Sequence, residues 1–230
     1  PGSSIKPLST YSLALEKDYI NWSSMILNYA IYHNGKLWPQ NSDGTHGSKK
    51  NVTVQYAIQK SFNTVPVRII TDMLGVNEAY NFMKKTFHLS TLDDANDASI
   101  APLATGSLTN GVTTVEMAAA YAVFGNNGYY YKPYCYYKVT NATGTEVLLE
   151  TKSEPEKVLS EDTAEVMREL LKTVPARSFR SSKNLGKFEL MSKTGTTSDT
   201  KDSWIAGGTP YYVCAVWLGY DKPKVIPFRY

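Results

Sequence analysis

The stretch Phe188-Glu189-Leu190-Met191-Ser192-Lys193-Thr194-Gly195-Thr196 decides how this chain folds. An apolar run enters it, and a lysine, two threonines and a glycine close it. The pattern predicts a sheet strand over Phe188–Lys193 whose end carries the polar group. Glycine at a strand end removes a side chain, so a ligand or another backbone can approach closely. A lysine and two threonine hydroxyls beside such an opening suit an anion such as a carboxylate, and Thr196 can also offer a backbone N–H to an oxyanion. The plain alternative is a strand end followed by a glycine turn.

Working outward, the rest of the C-terminal part also reads as strands: Ser203–Ala206 and Tyr211–Leu218, joined by turns that contain Gly and Pro. Tyr129–Val139, a turn at Asn141–Gly144, and Glu146–Glu150 read as a hairpin. The first half reads as helices. Pro7 is tolerated only in a first helical turn, so a helix begins near Ser3–Ser4 and continues through Leu8, Tyr11 and Leu15. Val54, Ala57 and Ile58 form a stripe that ends at Ser61, and Pro66 restarts a helix through Ile69, Ile70 and Met73 to a stop at Gly75. Asn77 is expected to cap a helix through Tyr80, Phe82 and Met83. Thr113 and Glu116 form a capping box before Met117–Phe124, with Gly125–Gly128 as the stop. Ser160 caps a helix carrying Ala164, Met167, Leu170 and Leu171. Asn41–Lys50 and Pro175–Lys187 read as surface loops. Helices first and a small sheet later make an α+β fold.

Composition bounds the function. The 230 residues are 42% hydrophobic and 20% charged, which fits a globular protein with a sizeable core. A net charge of +3 with scattered Lys and Arg gives no support to nucleic-acid binding. No apolar stretch approaches the roughly 20 residues that span a bilayer, so the chain is expected to be soluble. Cys135 and Cys214 lack metal-type spacing, lie in apolar strand-like segments, and are expected to be buried thiols. His33, His46 and His88 are dispersed, which disfavours a histidine metal site or a Ser-His-Asp triad.

Two further motifs precede Lys193. In Ser3-Ser4-Ile5-Lys6, a helix would place Lys6 on the face of Ser3, one turn on, with its amine near the hydroxyl. A serine hydroxyl needs such a base to become a nucleophile. The positive helix N-terminus disfavours a protonated lysine and favours oxygen charge on Ser3. In Ser61-Phe62-Asn63 the serine can relay a proton, and the Asn63 amide can both donate to and accept from a peptide group. Each motif alone is weak: Ser198-Asp199-Thr200-Lys201 and Ser182-Lys183-Asn184 have the same forms. Their plain readings are a capped helix start and a capped helix end. In order along one chain, however, they make the Ser-x-x-Lys, Ser-x-Asn, Lys-Thr-Gly triplet.

With these motifs the chain resembles the transpeptidase domain of a class A (bifunctional) penicillin-binding protein, from Pro1 to about Asp221. The resemblance includes Pro1–Pro7, Trp38-Pro39-Gln40-Asn41 and the lead-in Val54–Asn63. It continues through Gly111–Ala118, Ala120–Gly128, Lys193–Thr197 and Asp202–Pro210. It implies a helical subdomain on an antiparallel sheet, like that of the serine β-lactamases, and a D,D-transpeptidase. Ser3 would attack the penultimate D-alanine carbonyl of a peptidoglycan stem peptide with Lys6 as base. Loss of D-alanine would leave an acyl-enzyme, which an acceptor amine resolves into a cross-link. Ser61 would shuttle protons, and Asn63 would bind the substrate amide. Lys193, Thr194 and Thr196 would hold the terminal carboxylate beside Gly195, and the N–H groups of Ser3 and Thr196 would form the oxyanion hole. β-Lactams would acylate Ser3, with no metal or cofactor needed.

Two departures stand out. Pro175-Ala176-Arg177-Ser178 occupies the place of a usual Gly-Thr-Gly-like stretch, and the chain starts two residues before the presumed nucleophile. The resemblance implies strands, a glycosyltransferase domain and a membrane anchor upstream. Residues 1–230 are therefore expected to be an N-terminally truncated transpeptidase domain that partners an upstream segment, from a protein anchored at the extracytoplasmic face of the bacterial membrane. A D,D-carboxypeptidase is an alternative, as is a non-catalytic β-lactam sensor. A β-lactamase is disfavoured by Phe62 in the second motif and by the lack of a Glu-x-x-Leu-Asn segment.

Overall fold

Ser4–Leu15 is buried on every face and threads the core, although Ser4, Lys6, Ser9, Thr10 and Ser12 lie among its apolar residues. The computed structural model describes residues 1–174 and 189–227 of the chain. In it this segment starts as a 3₁₀ turn at Gly2–Ile5, runs through a π turn at Pro7–Tyr11 and ends in α1 (Ser12–Glu16). Of its buried hydroxyls, Ser9 Oγ donates to Leu103 O at 2.6 Å, whereas Tyr11 Oη has no hydrogen-bond partner among the described residues. Two small antiparallel pairs follow, β1 (Met25–Asn28) with β4 (Lys50–Thr53) and β2 (Ile31–His33) with β3 (Lys36–Trp38).

The Thr53 hydroxyl caps α2 (Val54–Lys60), and Ser61 ends it in the left-handed conformation, φ 57°. The restart after Ser61 is α3 (Thr64–Ile69), which relaxes into a π turn at Ile70–Leu74 before Gly75. The next helix, α4 (Val76–Thr86), differs from expectation at its start. Gly75, at φ 83°, holds the N-cap position, and Asn77 lies inside the first turn. Next come α5 (Ile100–Thr105) and α6 (Thr114–Gly125), the latter opened by the expected Thr113–Glu116 capping box. Met117, Ala120, Tyr121, Val123 and Phe124 of α6 are fully buried.

The Tyr-rich segment is not one strand. β5 (Tyr129–Tyr130) stops after two residues, whereas β6 (Lys138–Thr140) pairs with β7 (Val147–Glu150) around the expected turn. β5 instead pairs with β8 (Glu156–Lys157). Pro133 between β5 and β6 cannot donate to a ladder, and this outweighs the strand propensity of the tyrosines. Helix α7 (Glu161–Lys172) then packs on α6, with its Ser160 cap as expected.

The main sheet holds β9 (Met191–Thr196), β10 (Ser203–Gly208) and β11 (Val213–Leu218), antiparallel in the order β11-β10-β9. The pairing of Lys193 with Ala206 and Gly195 with Trp204 puts the Lys-Thr-Gly group inside β9 rather than after its end. β9 begins at Met191 because its partner β10 finishes opposite, at Gly208. Phe188 and the loop 175–187 lie outside the described residues. With α6 and α7 packed on this sheet, the architecture is α+β.

Two expectations about burial need correction. Cys135 and Cys214 are both exposed: Cys214 falls on the outward face of β11, and Cys135 lies in the broken segment after β5. The 41–50 segment is mostly surface, but Asn41 is 5% exposed and Lys50 opens β4.

Candidate active site

The left-handed turn at Ser61 brings the second motif against the first. It points the Ser61 and Phe62 carbonyls at the buried Lys6 amine, which donates to each at 3.0 Å and to Asn63 Oδ1 at 2.6 Å. Three neutral acceptors thus surround the one amine. Burial holds Lys6 well below the ordinary lysine range, and the positive charge of Lys193 lowers it further.

Lys193 approaches from β9 on the other side. Its amine donates to Ser61 Oγ at 2.8 Å and to Thr194 O at 2.9 Å. Burial brings its pKa down to about 7. Among the described residues neither lysine has a carboxylate partner. Ser61 thus sits between two buried lysines, its carbonyl facing one and its hydroxyl facing the other. The Ser61 hydroxyl, on the Lys193 side, is the group there that can take up and release a proton.

Ser3 is half-buried and opens onto a cleft of about 460 Å³, which Ser61, Asn63, Thr194 and Thr196 also line. Both residues expected to supply oxyanion N–H groups therefore border one space. One expected contact is absent: among the described residues the Ser3 hydroxyl makes no hydrogen bond, and the Lys6 amine faces the second motif instead. The 3₁₀ geometry of Gly2–Ile5 still stacks positions three apart, the spacing of Ser3 and Lys6.

Gly195 does what a strand glycine can do. A Cβ there would overlap Pro1 O and lie 2.9 Å from Ser4 N. The nucleophile turn thus packs directly on the β9 backbone. Tyr121 Oη, from α6, fixes the same turn by donating to Ser4 O at 2.6 Å.

Asn41 is a site residue that motif reading passed over. Its Oδ1 accepts from Asn63 N at 2.7 Å and Thr64 N at 3.3 Å, and its Nδ2 donates to Asn28 Oδ1 at 3.2 Å. Asn63 Nδ2 in turn donates to Gln40 O at 2.7 Å. Only the stretch Trp38–Asn41 hinted at this in the sequence. Of the two look-alike motifs, Ser198 borders the cleft, but Lys201 turns to Asp199 at 3.3 Å. Ser182-Lys183-Asn184 lies outside the described residues.

The family described as penicillin binding protein transpeptidase domain matches residues 1–224. Penicillin-binding protein 1A of Clostridium acetobutylicum is 41% identical over 96% of this chain and 28% of its own length. The protein of the same name from Clostridium botulinum is 36% identical over 98% of this chain and 28% of its own length. The chain thus spans under a third of these relatives. Among solved structures, PonA1 of Mycobacterium tuberculosis in complex with penicillin V superposes with a TM-score of 0.80 at 22% identity, covering 97% of this chain and 62% of that one. Penicillin-binding protein 1A from Haemophilus influenzae gives a TM-score of 0.76 at 24% identity over 96% of this chain and 38% of that one. The expected penicillin-binding fold is therefore the observed one, and this chain belongs to the penicillin-binding protein transpeptidase domain family.

Proposed function

We propose that this chain is a serine D,D-transpeptidase that cross-links peptidoglycan stem peptides through an acyl-enzyme on Ser3. The observation that carries the reading is the convergence of Lys6 and Lys193 on Ser61, one at its carbonyl and one at its hydroxyl, beside a cleft bordered by Ser3. Lys6, in the neutral form that burial favours, takes the Ser3 proton as Oγ attacks the carbonyl carbon of the penultimate D-alanine. The N–H groups of Ser3 and Thr196 receive the oxyanion. The C–N bond then breaks, and the departing D-alanine amine gains a proton through Ser61. An acceptor amine attacks the ester, gives up its proton along the same route, and restores Ser3. Lys193, when charged, holds the terminal carboxylate with Thr194 and Thr196, and Asn63 faces the substrate amide.

In the same reading β-lactams acylate Ser3 as mimics of the peptide, and residues 1–230 are the acylating part of a longer, membrane-anchored protein working at the extracytoplasmic face. Among the described residues no helix is long and apolar enough to cross a membrane. The reading is tested by incubating the polypeptide with benzylpenicillin and following its intact mass. A stable adduct, absent in Ser3→Ala, is expected. A folded protein that gains no adduct, or gains one equally without Ser3, overturns it. Rapid loss of the adduct with drug turnover indicates a β-lactamase instead.

A further inference from the structure

Asp97 is a fully buried carboxylate, and among the described residues it has no cationic partner. Its neighbour Asp94 behaves ordinarily, exposed and paired with Lys84. Burying an acid without a counter-charge is costly, so its hydrogen bonds must be well made. They are: Asp97 Oδ1 accepts from Thr109 N and Thr109 Oγ1, both at 2.8 Å, and Oδ2 accepts from Asp93 N at 3.0 Å. Two other bonds tie the same segments. Thr91 Oγ1 donates to Gly111 O at 2.7 Å, and Asn110 Nδ2 donates to Thr91 O at 3.2 Å.

The segment held in this way reaches the site. It starts at Gly106, whose carbonyl accepts from Gly2 N at 3.2 Å, immediately before the proposed nucleophile. Ser107 borders the cleft of Ser3, and Leu108, Asn110 and Val112 wall an adjoining groove of about 720 Å³ that also meets Trp217. Cleft and groove share Gly106, Ser107, Thr197 and Ser198, so a ligand longer than the cleft can continue into the groove.

We propose that Asp97 is a positioning residue that, through Thr109, fixes the groove wall and so sets the chain's preference for extended peptide over compact ligands. The inference rests on the transpeptidase reading. A β-lactam is small enough to lie in the cleft of about 460 Å³, whereas a stem pentapeptide extends along the wall. Loosening the wall therefore penalises the pentapeptide selectively.

The test compares Asp97→Asn and Thr109→Val with the unaltered polypeptide that carries this chain. Benzylpenicillin acylation and turnover of a pentapeptide ending in D-alanyl-D-alanine are measured, with thermal midpoints alongside. Both variants are expected to raise KM for the pentapeptide by about tenfold, while benzylpenicillin acylation changes by less than about twofold. Thr109→Ser, which keeps the hydroxyl, is expected to restore KM. An unchanged KM in Thr109→Val overturns the proposal. So does an equal loss on both ligands with a lowered thermal midpoint, which marks a purely structural role. Lack of acylation in the unaltered protein instead overturns the transpeptidase reading, and this inference with it.

Discussion

Lys193 Nζ donates to Ser61 Oγ at 2.8 Å, joining the strand motif to the loop motif across the cleft. Ser61→Ala breaks this link and removes the hydroxyl that relays protons in the proposed cycle. The acylation rate with benzylpenicillin, followed by mass, is expected to fall roughly 10²-fold. A change below about threefold would remove Ser61 from the proton path.

The two lysines give opposite limbs to the pH profile. Lys6 must be neutral to act as base, and burial with the nearby Lys193 charge lowers its pKa, so kcat/KM for peptide falls on the acid side as Lys6 gains a proton. Lys193 must be charged to hold a carboxylate, and its pKa of about 7 means that charge is lost as the pH rises through about 7. The expected profile is a bell whose alkaline limb descends from near pH 7. In Lys193→Ala the overall rate is lower and the alkaline limb disappears. Steady-state kinetics from pH 5 to pH 10 check both, and survival of the alkaline limb in the variant would assign it to another group.

The same burial has a cost in stability. Lys193 titrates at about 7 when folded and at the ordinary lysine value of 10.5 when unfolded, so between these values the unfolded chain binds more protons. Stability from this group therefore rises with pH across that window and is lowest below it. Lys193→Met is expected to raise the thermal midpoint at pH 6, with the gain shrinking towards pH 10. Thermal melts of the two proteins across this range decide it.

Asn41→Ala leaves the buried N–H groups of Asn63 and Thr64 without their shared acceptor and deprives Asn28 Oδ1 of a donor. A loss of about 1–3 kcal/mol is expected in urea unfolding. Acylation should slow as well, because the Asn63 amide that accepts from Lys6 is carried on the same turn.

Gly195→Ala drives a methyl into the Pro1 carbonyl and against Ser4 N. β9 and the nucleophile turn must then separate, at a cost of about 1–3 kcal/mol. Thermal denaturation measures the loss, and unchanged stability would mean that the two backbones yield freely.

How much of this was legible in the sequence depended on the range of the interaction. The Thr113–Glu116 box, the Ser160 cap and the stop at Ser61 are local, and their residues reveal them. The three motifs pointed to the candidate site because each brings its chemistry within a few residues. Asn41 works through Asn63, Thr64 and Asn28, which only the folded chain brings together, so nothing near it in sequence announced its part. The Tyr129–Val139 segment misled for the same reason: strand propensity favoured one long strand, but the partner of β5 is the distant Glu156–Lys157. Cys214 was misjudged because an apolar run does not tell which face of a strand turns outward.

Gly2 and Gly106 have positive φ, 54° and 78°, and lie backbone to backbone, with Thr196 O only 2.6 Å from where a Gly2 Cβ would stand. Any side chain there meets both strain and a wall. Inherited change in the cleft is thus channelled to its polar rim at Ser42, Ser107 and Ser198, whereas Thr197 is tied to Asp202 through its hydroxyl. Variants that reshape what this cleft admits should accumulate on that rim, leaving the glycine seam untouched.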